Sequence, residues 1–86
     1  MISYVEIGKY IIAFDQTPDN RKTKVYELCN SQDERIHLGE VKYNSRWRKY
    51  CFYSIDETVF DSKCLTDIVN FIDKLNKERI KSGKYE

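Results

Sequence analysis

The C-terminal quarter of the chain carries a helical pattern that dictates much of the fold. Between residues 64 and 80, apolar side chains recur at the spacing of one helix face, and charged side chains fill the other face. The apolar face comprises Cys64, Leu65, Ile68, Val69, Phe71, Ile72, Leu75 and Ile80. An amphipathic helix of about five turns is stable in water only when its apolar face is covered. We therefore expect Leu65, Ile68, Ile72 and Leu75 to be buried against another part of the chain, or against a second copy in a homodimer.

The ends of this helix are also marked. Asp61 is a suitable N-cap, and Phe60 before it is placed to pack on Leu65. Gly83 is a helix stop signal. Two polar residues interrupt the apolar face: Arg79 lies near the C-terminal end, where a cation is favourable, and Asn76 is expected where the helix outruns its partner.

The preceding residues favour β-structure. They alternate in polarity or are rich in β-formers, and they are separated by turn residues. The predicted strands are 4–14 as one bent strand or a strand pair interrupted at Gly8, then 24–29, 36–43 with a bulge or close approach at Gly39, 47–54, and a short strand at 58–60. The sequence thus predicts an α+β fold, in which an antiparallel β-meander of four to five short strands carries the C-terminal helix on one face.

Size and charge limit the function. The chain has 86 residues, which predicts a single domain over 1–86. Fifteen basic residues face fourteen acidic ones, so the overall charge of +1 does not favour binding dominated by phosphate contacts. The longest apolar run, 10–14, is too short to cross a bilayer, and residues 1–4 lack the features of a secretion signal. We therefore expect a cytoplasmic protein with no membrane partner.

Groups suited to catalysis are sparse in the sequence. The single histidine, His37, lies in a predicted strand, and the paired carboxylates Asp33-Glu34 and Asp56-Glu57 lie in predicted turns. The three cysteines are too far apart for a disulfide framework or a common zinc motif, so they are expected to be buried free thiols. We expect no enzymatic activity, no cofactor and no metal site.

The segment 43–53 is the strongest candidate for a binding site, because it concentrates five aromatic residues and three cations. Its residues with binding character are Tyr43, Arg46, Trp47, Arg48, Lys49, Tyr50 and Tyr53. Three interpretations remain open. The rings can belong to the core, they can form a protein-binding face, or they can stack on the bases of single-stranded nucleic acid.

About half of the chain resembles a family of short uncharacterised proteins found in bacteriophage and prophage genomes. The residues that carry the resemblance are Leu38-Gly39, Val41-Lys42-Tyr43, Trp47-Arg48, Tyr50, Phe52, Thr58-Val59-Phe60, Cys64-Leu65, Asp67-Ile68, Phe71-Ile72 and Leu75. The resemblance implies a phage-type origin and a place in the host cytoplasm, but no defined activity. The leading hypothesis is a non-enzymatic accessory protein that binds and occludes a host protein, such as a defence component. The alternative is a nucleic-acid-binding module that uses the aromatic and basic face of the sheet.

Overall fold

The computed structural model describes residues 3–81, with the side chains of residues 80 and 81 excepted. It contains five strands and one helix. In chain order they are β1 (Tyr4–Glu6), β2 (Ile11–Asp15), β3 (Val25–Asn30), β4 (Asp33–Asn44), β5 (Lys49–Ser54) and α1 (Ser62–Lys81). The predicted stop at Gly83 lies outside the described residues.

The strands form one antiparallel sheet in the order β1-β2-β3-β4-β5, so each strand pairs with its neighbour in sequence. The predicted α+β meander with one C-terminal helix is confirmed. The structure differs from the predicted strands at several positions. Strand β4 begins at Asp33 because a turn of only two residues follows β3, and residues 58–60 do not form a strand.

The N-terminal β-forming segment is a strand pair. Residues 7–10 reverse the chain between β1 and β2, and Gly8 lies in this reversal. Gly8 approaches helix α1 so closely that a Cβ atom there would collide with the carboxylate of Asp67. The predicted break at Gly8 is therefore confirmed, and its physical reason is contact with the helix.

Gly39 lies at an irregularity of the central strand pair. The register of β3 with β4 shifts between Leu28, which faces Gly39, and Cys29, which faces His37. Gly39 has a φ of 154°, and a Cβ atom there would overlap the backbone of Tyr53 and the ring of Phe52. The bulge and the close approach predicted at Gly39 are both present.

Helix α1 covers one face of the sheet, and the core lies between them. The ring of Phe71 meets that of Tyr26 edge-on, with centroids 5.0 Å apart. The buried core residues are Ile11, Ala13, Tyr26, Leu28, Val41, Tyr43, Tyr50, Ile68, Phe71 and Leu75. The helix therefore docks on the sheet of its own chain, and the opposite face of the sheet is here called the open face.

The buried face of α1 is rotated from the predicted one. Ile68 is 3% exposed and Leu75 is buried, and Ile72 packs against the core, but Leu65 is 46% exposed and Val69 is also exposed. The prediction that Leu65 is buried was wrong. The face that docks runs instead through Ile68, Phe71 and Leu75.

The start of α1 confirms the predicted cap at Asp61 and shows where the ring of Phe60 packs. Asp61 Oδ1 accepts a hydrogen bond of 2.8 Å from the Cys64 amide, so Asp61 caps the first turn. Phe60, the residue predicted to pack on Leu65, also contacts the sheet. Its ring packs edge-on against Phe52 of β5, with centroids 5.4 Å apart.

Asn76 and Arg79 join the helix to the edge strand β5 and to β4. Asn76 Oδ1 accepts a hydrogen bond of 2.9 Å from the Tyr50 amide. The Arg79 guanidinium donates to Tyr43 Oη over 3.1 Å and lies 4.5 Å from the centre of that ring. The expectation that Asn76 marks a polar edge beyond the sheet was therefore wrong, because its amide satisfies a backbone group of the edge strand.

Candidate binding site at the hairpin tip

Strands β4 and β5 are joined by a four-residue loop that protrudes from one end of the sheet. Asn44 pairs with Lys49 at the last register position, and residues 45–48 form the loop, here called the hairpin tip. Strand β5 was predicted to begin at Trp47, but it begins at Lys49. Trp47 thus lies in the loop and does not share a strand face with Lys49 and Tyr53.

Asn44 holds the hairpin tip in one conformation. Its carbonyl oxygen accepts a hydrogen bond of 2.7 Å from the Arg48 amide, and its side-chain Oδ1 accepts one of 2.9 Å from the Trp47 amide. The Asn44 side chain also donates through Nδ2 to Tyr53 Oη over 2.8 Å. One asparagine therefore orders the loop and links it to the adjacent open face.

Arg48 adopts a backbone conformation that glycine favours. Its φ is 58°, in the left-handed region where non-glycine residues are uncommon. A glycine here would remove the steric penalty of the Cβ atom, yet the chain has an arginine. This left-handed residue closes the hairpin tip next to strand β5.

Trp47 is an exposed aromatic residue at the hairpin tip. The chain's single tryptophan is 64% exposed, and Arg46, Arg48 and Lys49 around it are also exposed. The loop thus carries a large amphipathic ring and two cations, Arg46 and Arg48, and Lys49 follows at the start of β5.

Tyr53 extends this surface onto the open face. It is exposed, and the Lys42 ammonium lies 4.7 Å from the centre of its ring. Tyr53 is linked to the hairpin tip through Asn44. Five of the seven residues named from the sequence are exposed: Arg46, Trp47, Arg48, Lys49 and Tyr53.

Tyr43 and Tyr50 lie on the other side of the hairpin, in the core. They are cross-strand partners, 7% and 5% exposed, and their rings meet edge-on with centroids 5.8 Å apart. Tyr50 Oη accepts a hydrogen bond of 2.9 Å from the Lys24 amide. Helix α1 covers both rings, so the core interpretation holds for these two residues and they are not part of the accessible site.

Sequence reasoning missed a cluster on the open face formed by Glu27, Cys29 and His37. The donor atoms of these three side chains lie within 4.8 Å of one another. Glu27 Oε2 contacts His37 Nδ1, and Cys29 Sγ lies 3.8 Å from the same nitrogen. Two signals could have revealed the cluster: Glu27 and Cys29 alternate on one strand face, and His37 occupies the neighbouring strand of the predicted meander.

The cluster does not have the geometry of a cysteine–histidine–carboxylate relay. Such a relay needs the thiol and the carboxylate on different ring nitrogens, whereas both approach Nδ1 of His37. Cys29 is also 1% exposed. Burial raises the pKa of its thiol, and the carboxylates of Glu27 and Glu34 raise this pKa further, which opposes formation of a nucleophilic thiolate.

The fold and the site define a class: a small α+β protein in which an antiparallel meander is covered on one face by a helix and presents an ordered aromatic and basic loop at one end. Among known proteins, the "Uncharacterized 9.3 kDa protein" of Acholeplasma phage L2 is 37% identical over 59 residues, which are 69% of this chain and 74% of the relative. The chain belongs to the family of this phage protein, in agreement with the phage-type origin implied by the sequence.

The other comparisons add no relative. No family model matches the chain, and no solved structure matches it. Within residues 3–81, no helix is both long and apolar enough to cross a bilayer.

Proposed function

We propose that this protein is a non-enzymatic phage or prophage accessory protein that binds a host protein through the hairpin tip and occludes a functional surface of that partner. The observation that carries the proposal is the exposure of Trp47 on a loop ordered by Asn44. Tryptophan, tyrosine and arginine are the residues enriched in the energetic centres of protein interfaces.

The fixed conformation of the hairpin tip supports the proposal, because it lowers the entropy lost on binding. Binding is weakened by the entropy lost when flexible side chains and loops become fixed. The hydrogen bonds that the Trp47 and Arg48 amides donate to Asn44 fix the backbone before any partner arrives. A partner with a pocket for the indole ring and acidic groups for the surrounding cations would therefore lose little entropy at this loop.

Membership of a phage family supports the choice of partner. Small accessory proteins of phages commonly act on host components, and a counter-defence inhibitor fits a chain of this size. The protein would inhibit its host partner by covering a surface that the partner needs for its own activity. A domain of 86 residues is large enough to block such a surface sterically.

The test is capture of host proteins from lysate on immobilised protein, with the wild type compared with matched variants. Trp47→Ala should lose the captured protein, and Arg48→Gly should weaken capture while its thermal unfolding midpoint stays equal or rises, because glycine relieves the positive φ. Val59→Ala is the control, because Val59 is 93% exposed and lies beyond the opposite end of β5. Equal capture by the wild type and Trp47→Ala would contradict the proposal.

Nucleic-acid binding is the second candidate, favoured by the three cations around Trp47. Bases can stack on an exposed indole while arginine and lysine contact the phosphates. Fluorescence anisotropy of labelled single- and double-stranded oligonucleotides at low salt provides the test, because the phosphate contribution is largest there. Absence of binding at low salt would eliminate this candidate. Binding that is lost with Trp47→Ala and falls steeply with salt would replace the protein-binding proposal.

A further inference from the structure

The cluster of Glu27, Cys29 and His37 suggests a function separate from the hairpin tip. We propose that these three side chains form a binding site for a divalent transition-metal ion of the zinc type.

The backbone places the three donors before any ion binds. Glu27 and Cys29 lie two residues apart on β3 and so project from the same face, and Cys29 is the register partner of His37 on β4. Strands β3 and β4 are both internal strands of the sheet. The shift in register at Cys29 brings His37, rather than Leu38, opposite the thiol.

The distances are close to those of a metal centre. Bond lengths of about 2.0–2.3 Å to nitrogen, oxygen and sulfur place the ligand atoms of a tetrahedral zinc site about 3.3–3.8 Å apart. Cys29 Sγ and His37 Nδ1 are 3.8 Å apart, and all three donors lie within 4.8 Å of one another. Rotation of the long Glu27 side chain away from its direct contact with His37 is the main adjustment that an ion would need.

The contacts among the three groups converge on one nitrogen atom. Both Glu27 and Cys29 approach Nδ1 of His37. If Nδ1 carries a proton it can donate fully to only one of them, and if it carries none it cannot donate to the carboxylate. A cation at the centre of the cluster would bond to all three donors at once.

The donor types select the class of metal. A thiolate, an imidazole and a carboxylate together match zinc and related transition metals, whereas magnesium and calcium prefer oxygen donors alone. Glu27 and His37 are partly exposed, with side-chain exposures of 32% and 46%, so an ion and a water ligand can reach the site from the open face. Three protein donors leave the fourth tetrahedral position to that water.

The test uses cobalt(II) as a spectroscopic substitute for zinc. The background is the full chain with Cys51→Ser and Cys64→Ser, in which Cys29 is the only thiol. We expect a thiolate-to-cobalt charge-transfer band with the visible bands of four-coordinate cobalt, saturating at one ion per chain. Zinc should displace the cobalt, whereas magnesium and calcium should not.

Variants of the exposed ligands distinguish the site from a simple thiol. His37→Gln and Glu27→Gln should each weaken cobalt binding by at least about tenfold, since even partners outside the ligand set typically contribute that much. Glu40→Gln is the matched control, because Glu40 faces Glu27 on β4 but lies outside the cluster. Absence of the charge-transfer band, or a band of unchanged affinity in both ligand variants, would overturn the proposal. Because His37 and Glu27 are partly exposed, the circular dichroism of these variants should match that of the wild type.

Discussion

The β4–β5 hairpin carries two sets of aromatic residues with opposite environments. Tyr43 and Tyr50 are nearly inaccessible beneath helix α1, whereas Trp47 and Tyr53 are exposed at the tip and on the open face. In the sequence the two sets are interleaved within eleven residues and have similar composition. Composition alone therefore does not decide which rings stabilise the fold and which are free to bind.

The position of helix α1 decides which rings are buried and which remain exposed. Asn76 and Arg79 contact Tyr50 and Tyr43, so the C-terminal half of α1 is held over the buried pair. The exposed pair depends on Asn44, which contacts Trp47 and Tyr53 through its side chain. Three polar side chains therefore contact the two sets of rings: Asn76 and Arg79 on the buried side of the hairpin, and Asn44 on the exposed side.

The largest expected effect is a loss of stability when a buried residue of helix α1 is truncated. Ile68→Ala should lower the free energy of unfolding by about 2–5 kcal/mol, because Ile68 is 3% exposed in the core. Leu65→Ala, on the same helix but 46% exposed, should lower it by less than about 1 kcal/mol. Chemical denaturation of both variants measures the difference. Equal losses would show that the helix docks by the face predicted from the sequence.

A smaller effect is expected for the helix contact with the edge strand. Asn76→Ala leaves the Tyr50 amide without its acceptor and should cost about 1–3 kcal/mol. Asn70→Ala is the control, since Asn70 is exposed on the same helix, and it should cost under about 0.5 kcal/mol. Hydrogen exchange of the Tyr50 amide should also accelerate in Asn76→Ala. Unchanged exchange there would mean that this bond does not hold the helix on the hairpin.

The N-cap residue Asp61 should make the stability of the protein depend on pH, and this dependence tests whether the cap holds the start of α1. The hydrogen bond from the Cys64 amide holds the pKa of Asp61 below its ordinary value of 3.8. Because the folded-state pKa is lower than the unfolded one, ionised Asp61 stabilises the fold above pH 3.8, and this contribution is lost as the pH falls through the folded-state pKa.

Asp61→Asn provides the comparison, because its amide can still accept the cap hydrogen bond but does not titrate. On acidification the wild type should lose unfolding free energy relative to this variant. Asp15 and Asp33 also have lowered pKa values, but they are common to both proteins and cancel in the difference. Denaturation midpoints that fall in parallel with pH would contradict the role of Asp61.

Local patterns were sufficient to predict most of the fold. Alternation and turn residues predicted the meander, and Gly8, Gly39 and Asp61 were identified because each has a local physical role. The rotation of α1 was not predictable from its hydrophobic pattern, since that pattern places Leu65 and Ile68 on the same half of the helix. Which part of that half is buried depends on how the helix lies across the sheet, and the helix sequence alone does not contain this information.

The candidate site was predicted less completely, because its membership depends on the position of the hairpin loop. The sequence predicted that β5 begins at Trp47, which placed the indole on a strand face, whereas β5 begins at Lys49. The sequence also could not show that Tyr43 and Tyr50 are buried and Trp47 is exposed, because this depends on where the helix docks. The Glu27, Cys29 and His37 cluster required the register of two strands and a bulge, which no single segment encodes.

The fluorescence of Trp47 tests the separation of the two aromatic sets most directly, because the chain has a single tryptophan. An indole that is 64% exposed should emit at nearly the same wavelength in the native and the denatured protein, and acrylamide should quench it almost equally in both. This result should not depend on protein concentration. A native emission clearly shifted to the blue and protected from acrylamide would contradict the account, because Trp47 would then be buried like Tyr43 and Tyr50.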